Sequence, residues 1–305
     1  MPTWEAEADA LRASNARHIL LLSHADSARG QIAAGIARAL APRQVHVSSA
    51  GVTRSRLDPL AARVLAELSV DVSDRTSRSV DELDTSDVEA VVTLSDGDEP
   101  PAGLRGKLRV HWPMQDPAAG GGSDEERLAR YRAVRNELRR RFLRTFAHGA
   151  ATASAPGRTT TTFEPASGGD YEEIRRIVAA SLLPSRTVGM PNQRFILARS
   201  DGRVIGCAGL ELYGADGQVR SLAVDWTRRN AGFGTLLHER LLHEAALSGL
   251  RTLYVITATA EGFFTRHGWK RVPLEQVPPE IRASEEFTTL APAAAASMTR
   301  SVRAG

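Results

Sequence analysis

Short apolar runs and amphipathic segments alternate along the chain in two blocks of different character. In the first block, residues 17–22 (RHILLL), 45–48 and 90–94 are apolar runs of strand length, while 32–40, 59–68 and 125–144 carry helical spacing. Buried strands separated by helices predict a parallel sheet covered on both faces. Residues 23–31 (SHADSARGQ) make a small-residue loop between the first strand and the first helix, and 48–52 (SSAGV) read as a strand-end turn.

The second block opens with a short strand at 161–165 and a helix over 171–181, which Asp170 is placed to cap. A loop with Pro and Gly spans 182–192, and runs at 195–199 and 203–212, split by Ser200-Asp201-Gly202, predict a hairpin. Strands at 219–224 and 253–257, a helix at 261–267 and a closing strand at 269–272 complete a mixed sheet. The fold class is therefore α/β in two domains, a parallel-sheet domain over 15–147 and a mixed-sheet α+β domain over 162–301. Residues 148–161, mostly Ala, Gly, Ser, Thr and Pro without periodicity, read as the linker.

The second block is organised around residues 219–237, VRSLAVDWTRRNAGFGTLL. The apolar run Leu222-Ala223-Val224 passes through a polar elbow into Arg229-Asn230-Ala231-Gly232-Phe233-Gly234-Thr235, and a helical pattern follows at once. A strand, a glycine turn and a helix N-terminus leave backbone N–H groups unused by the helix, and the helix dipole adds partial positive charge. A phosphate fits there. A dinucleotide site needs a third glycine and an acid on the next strand; Leu237 stands at the first position, and 253–257 carries no acid.

Composition narrows the partners. A chain of 305 residues with 42% hydrophobic and 25% charged residues describes a soluble globular protein of two ordinary domains. Net charge is +3, and all but two of the 39 Lys and Arg are arginine. No aromatic-plus-basic repeat points to nucleic acid, and the run Arg139-Arg140-Arg141 reads as a solvated helix face. The single cysteine, Cys207, excludes an internal disulfide and a cysteine metal cluster; within VIGCAGL it reads as a small buried hydrophobe. No His and carboxylate pair has metal-ligand spacing, and His238 and His243 read as surface or packing residues. The acidic N-terminus lacks a long apolar core and the run 19–22 is too short to span a bilayer, so a cytoplasmic protein without membrane contact is expected.

Residues 17 to 146 resemble the low-molecular-weight protein tyrosine phosphatases and the arsenate reductases that share their fold. In that family the loop after the first strand reads Cys-x5-Arg. The resemblance carries Arg29, Ser27 and Asp116, the last within His111-Trp112-Pro113-Met114-Gln115-Asp116-Pro117. It assigns cysteine to position 23, where this chain has Ser23, and asparagine to position 26, where it has Asp26. Gly30 replaces a serine, and Ser95 lies where reductases often place a further thiol. A hydroxyl lacks the thiolate population this chemistry uses, and a carboxylate repels the anion the loop would hold. The expectation is a degenerate oxyanion loop, a pseudoenzyme. Dimerisation, weak oxyanion binding and docking stay open as its residual role, and a reductase trapped by substitution of a cysteine at 23 is the other alternative.

Residues 162 to 300 resemble the GNAT acyltransferases through Arg229-x-x-Gly232-x-Gly234 and Phe263-Phe264-Thr265-Arg266-His267-Gly268-Trp269. Within them, 209–214, 220–224, 256–260 and 286–298 look like the arsenic-resistance-associated N-acetyltransferases, whose C-terminal Cys-Pro pair is here Ala291-Pro292. The resemblance implies acetyl-CoA as cofactor, held by residues 229–235 with Phe264, and a small-molecule amine as acceptor. It also implies that the N–H groups near Leu222, Ala223 and Val224 polarise the thioester carbonyl. Glu211, in an otherwise apolar strand, is expected as base, with pairing to Arg220 as the alternative; Ser221 and Thr257 are candidates for protonating the leaving thiolate. The function expected is an N-acetyltransferase fused to a silent phosphatase-like domain, against the alternative of an oxyanion sensor that regulates it.

Overall fold

The computed structural model describes residues 2–302 except 54, 74, 96–103, 105–106, 147–160, 230 and 291–294. The chain divides into two compact units, Met1–Ala147 and His148–Gly305. The stretch read as a linker lies almost wholly outside the described residues, as do Asn230 and Ala291-Pro292.

The first unit runs α1 (Trp4–Ala13), β1 (His18–Ala25), α2 (Arg29–Leu40), β2 (His46–Thr53), α3 (Pro59–Ala66), β3 (Ala90–Thr93), β4 (Leu108–His111) and α4 (Asp124–Thr145). Its four strands are parallel in the order β2-β1-β3-β4. Ile19, Leu20, Leu21 and Leu22 are buried, as a strand covered on both faces requires. Because β1 lies between β2 and β3, the loops at the carboxyl ends of β1 and β3 border the point where the strand order reverses, the usual position of a ligand crevice in such sheets.

The structure departs from three expectations. Residues 48–52 are strand rather than turn, because β2 pairs with β1 as far as Thr53. Helix α2 starts at Arg29, three residues before the apolar periodicity begins. The arginine run of α4 is more packed than solvated: Arg139 is buried, the partly exposed Arg140 lies 4.5 Å over the Trp4 ring, and Arg141 lies 5.6 and 5.7 Å over the Trp4 and Trp112 rings. The aromatic partners come from α1 and from the segment after β4, which helical periodicity alone does not reveal.

The second unit runs β5 (Thr161–Pro165), α5 (Tyr171–Ala180), β6 (Gln193–Ser200), β7 (Arg203–Tyr213), β8 (Asp216–Val224), α6 (Phe233–Leu247), β9 (Thr252–Thr257), α7 (Glu261–Arg266), β10 (Lys270–Arg271), α8 (Pro279–Arg282), α9 (Glu285–Thr289) and β11 (Ala296–Ser301). The sheet order is β10-β11-β9-β8-β7-β6-β5, and only β8 and β9 pair in parallel. The expected closing strand at 269–272 shrinks to two residues at the edge, because β11 inserts between it and β9. Helix α6 covers one face through Leu237, Leu241 and Ala245, and α5 packs Ile174, Ile177 and Val178 against Cys207 and Ala223.

Strand β8 carries two irregularities. Its pairing with β7 shifts so that Cys207 faces Ala223 while Gly209 faces Arg220, leaving Ser221 and Leu222 opposite Ala208 alone, a β-bulge. Ser221 takes φ +52°, a left-handed conformation uncommon for a non-glycine residue in a strand. Parallel pairing of β8 with β9 stops at Gln218–Tyr254, and from there β9 continues beside β11 alone. The two central strands splay apart.

Candidate functional site

The splay and the head of α6 meet at the carboxyl end of β8. Asp225 N donates to Ile205 O on the β7 side, so strand alternation turns the amides of Val224 and Leu222 toward the open side. Beyond them Gly232 precedes α6 with φ +83°, a conformation glycine adopts without strain. Among the described residues no side chain caps this helix, so its first-turn amides at Phe233, Gly234 and Thr235 are left to an external acceptor. A Cβ on Gly232 would meet no atom within 4 Å, and one on Gly234 only Phe263 at 3.9 Å, so the cradle is open. These residues fit the diphosphate of a coenzyme A.

Arg229 is half-buried at the near edge of this turn. Its Nε donates to Val224 O at 3.1 Å and one terminal nitrogen to Ser181 Oγ at 3.3 Å, bracing the loop to β8 and to the end of α5. Burial pulls its guanidinium below the ordinary value, with Asp225 opposing. Phe264 lies in the core between His238 and Trp269, and Thr257 Oγ accepts from Ala260 N at 2.9 Å, holding the entry to α7. His238 is buried and packs against Phe263, His267 and Trp269, while His243 is exposed.

On the side of α5 the splay is lined by a charged network centred on Arg220. Glu211 has both oxygens committed: Tyr213 Oη at 2.7 Å and Asn192 Nδ2 at 3.4 Å donate to Oε1, while Arg220 Nη1 at 2.9 Å and Gln193 Nε2 at 3.2 Å donate to Oε2. The pairing alternative for Glu211 is thus the one present. Gly209 makes room for Arg220, since a Cβ there would stand 2.9 Å from its Cγ. Glu285, from α9, accepts from Thr187 N and Oγ at 3.1 and 2.6 Å; burial raises its affinity for a proton, but those hydrogen bonds and Arg186 outweigh it. Beside it, Glu286 is buried against the Ser221 bulge. Periodicity assigns no role to Thr187, Glu285 or Glu286, which reach the site from the loop after α5 and from α9; the one local signal was a pair of acids just before an apolar Phe287.

In the first unit the end of β1 and the loop that follows it are closed upon themselves. Ser23 is fully buried and its Oγ donates to Ala25 O at 3.1 Å. Asp26 is buried as well; its Oδ2 accepts from Gln31 Nε2 at 2.7 Å and Ser49 Oγ at 3.3 Å. Burial pushes its carboxyl up to about 6 against those hydrogen bonds. A Cβ on Gly30 would stand 2.4 Å from Asp26 Oδ1 and 2.8 Å from Ser23 Oγ, so positions 23, 26 and 30 are fitted to one another. Arg29 donates to Met114 O at 2.9 Å and lies 3.7 Å from Asp116, which itself accepts from Ala118 N. Ser27 N turns back to Ala25 O, and Ser95 Oγ accepts from His24 N.

Similarity to known proteins divides along the same boundary. Residues 18–101 match the family model of the low molecular weight phosphotyrosine protein phosphatases, and residues 191–271 match that of the acetyltransferase (GNAT) domain. An arsenate reductase of Halalkalibacterium halodurans is 36% identical over 135 residues, which cover 44% of this chain and 96% of that protein. An uncharacterized N-acetyltransferase of Chlorobaculum tepidum is 40% identical over 90 residues, covering 28% of this chain and 56% of that protein. A protein of Mycobacterium tuberculosis, crystallised in complex with CoA, superposes with a TM-score of 0.37 and 23% identity, covering 47% of this chain and 99% of its own.

Proposed function

We propose that this chain, which belongs through its first half to the low molecular weight phosphatase and arsenate reductase family and carries a GNAT acetyltransferase domain in its second, is an acetyl-CoA-dependent N-acetyltransferase of small-molecule amines. The observation that carries this reading is the splay of β8 from β9 after Gln218, continuous with the uncapped head of α6 at Gly232. Acetyl-CoA, when bound, supplies the acetyl group as an activated thioester. The first-turn amides of α6 hold its diphosphate, and the Leu222 and Val224 amides donate to the carbonyl, stabilising the oxyanion that develops there. The network of Arg220, Glu211, Glu285 and Thr187 keeps the acceptor side rigid and charged.

The first unit is read as catalytically silent. Ser23 replaces the nucleophile, Asp26 brings a buried carboxylate to the loop, and Arg29 is engaged with Met114 O. A single cysteine-to-serine change leaves Gly30 and Asp26 unaccounted for, so the substitutions are taken as one set. Calorimetry with acetyl-CoA on the full chain tests the cofactor, and a mass-spectrometric screen of primary amines for the gain of one acetyl group identifies the acceptor. Failure to bind acetyl-CoA, or turnover of arsenate or an aryl phosphate by the first unit, overturns the reading.

A further inference from the structure

The acyltransfer reading leaves open which group removes the proton of the acceptor amine, and the three carboxylates at the splay are not equivalent in this respect. Glu211 receives four donors on its two oxygens, one of them the Arg220 guanidinium at 2.9 Å. Glu285 is held by Thr187 and Arg186. On both of these glutamates each oxygen accepts from at least one donor, and a carboxylate engaged in that way is the poorer proton acceptor.

Glu286 differs. It is 3% exposed, and among the described residues both of its hydrogen bonds fall on Oε1, from Ser221 N at 2.8 Å and Ser221 Oγ at 3.3 Å. Those donors exist because Ser221 sits in the bulge with φ +52°, which turns its amide away from the strand ladder and onto the carboxylate. The next amides along β8, those of Leu222 and Val224, face the open side of the same splay. The backbone strain at Ser221 thus seats a carboxylate one residue from the groups assigned to the thioester carbonyl.

Resting on the acyltransfer reading, we infer that Glu286, seated by Ser221 in the β8 bulge, is the general base for the acceptor amine, with Oε2 receiving the proton. The acceptor enters as R–NH3+; Glu286 takes one proton and becomes a neutral acid, leaving R–NH2. The nitrogen lone pair then forms the C–N bond to the carbonyl carbon of the acyl-coenzyme A thioester. As the C–S bond breaks, its electron pair leaves with sulfur, and the second proton shed by nitrogen ends on the thiol. Glu286 returns its proton to water. Burial raises the affinity of Glu286 for a proton, Arg220 on β8 and the Ser221 donors oppose it, and Glu285 on α9 supports it; the Cys207 thiol on β7 is the other titratable group bearing on it, and burial holds that thiol neutral.

The test compares the full chain with Glu286→Gln, which keeps an acceptor for Ser221 N. Thiol release from acetyl-CoA is followed against a panel of amino acids and simple primary amines across pH, with calorimetry for acetyl-CoA and infrared titration of carboxyl C=O bands in the ligand-free chain. Glu286→Gln is expected to lower kcat by about a hundredfold, to flatten the acidic limb of the rate profile and to remove one carboxyl band, with acetyl-CoA affinity unchanged. Glu286→Asp, which withdraws the carboxylate by one methylene, is expected to keep the limb at reduced kcat and serves if the glutamine variant fails to fold. A glutamine variant with unaltered rate and limb overturns the proposal, as does a loss of acetyl-CoA affinity in step with rate, which would make Glu286 a support for Ser221 only. If the unaltered chain binds no acetyl-CoA, or binds it and acetylates no amine, the acyltransfer reading falls first.

Discussion

Asp26 occupies the space that a side chain on residue 30 would need: its Oδ1 lies 2.4 Å from where a Cβ on Gly30 would stand. The carboxylate cannot swing aside cheaply, because Oδ2 is held by Gln31 and Ser49 in a fully buried pocket. Gly30→Ser is therefore expected to destabilise the first unit by about 1–3 kcal/mol, the usual cost of overpacking. Most of that loss is expected to vanish when Asp26→Ala is added. A double-mutant cycle by chemical denaturation checks the coupling, and additive effects would refute it.

Asp26 also predicts a pH dependence. Its carboxyl is raised from 3.8 to about 6 in the folded chain, chiefly by burial. The folded state then binds more protons than the unfolded one between those values, so the contribution to stability is full below pH 4 and is lost as pH rises to about 6. The loss amounts to about 3 kcal/mol. Measured against Asp26→Asn, which does not titrate, the wild-type chain is expected to fall behind by this order between pH 4 and pH 7. A constant difference across that range would contradict the assignment.

Gly232 carries φ +83° at an exposed position with free space around it. Gly232→Val is expected to cost about 1–2 kcal/mol through the left-handed backbone alone and to turn the first-turn amides of α6 out of line. The expected result is an acetyl-CoA affinity lower by at least about tenfold, roughly 1.4 kcal/mol, with the melting temperature of the first unit unaltered. Calorimetry reads the first quantity and differential scanning the second.

His238 is buried and accepts a hydrogen bond from Trp269 Nε1 on Nε2 at 2.9 Å, which places its proton on Nδ1. Burial, with His267 and Arg300 nearby, pulls it down to about 4 from 6.5. The unfolded chain therefore binds the proton more readily, and the stability His238 contributes is present above pH 6.5 and lost as pH falls toward 4, by about 3 kcal/mol. Imidazole NMR is expected to show the His238 ring still neutral at pH 5; titration of His238 near 6.5 would refute the prediction.

Particular residues show how far the chain could be read without its fold. The apolar runs 17–22 and 219–224 and the spacing Arg229-x-x-Gly232-x-Gly234 are local signals; the two runs emerge within β1 and β8, and Gly232 stands at the head of α6. Residues 296–301 (ASMTRS) have no apolar run, yet they form β11, because two neighbouring strand edges supply hydrogen bonds and only Ala296 and Met298 need face the core. The arginines of α4 read as solvated until Trp4 and Trp112 are brought over them. Whether Glu211 is a base or an ion-pair partner turned on the register of β7 with β8, which sets Arg220 across from Gly209.

Order along the chain and residue identity determined the two halves, the type of each and the two loops at which chemistry is placed, because strand period, helix period and glycine turns act over a few neighbouring residues. Tertiary structure alone decided the left-handed Ser221, the splay beyond Gln218 and the seating of Glu286 against β8. Those depend on contacts between segments up to 65 positions apart, where the packing of distant groups, rather than local preference, sets backbone angle, hydrogen-bond partner and proton affinity.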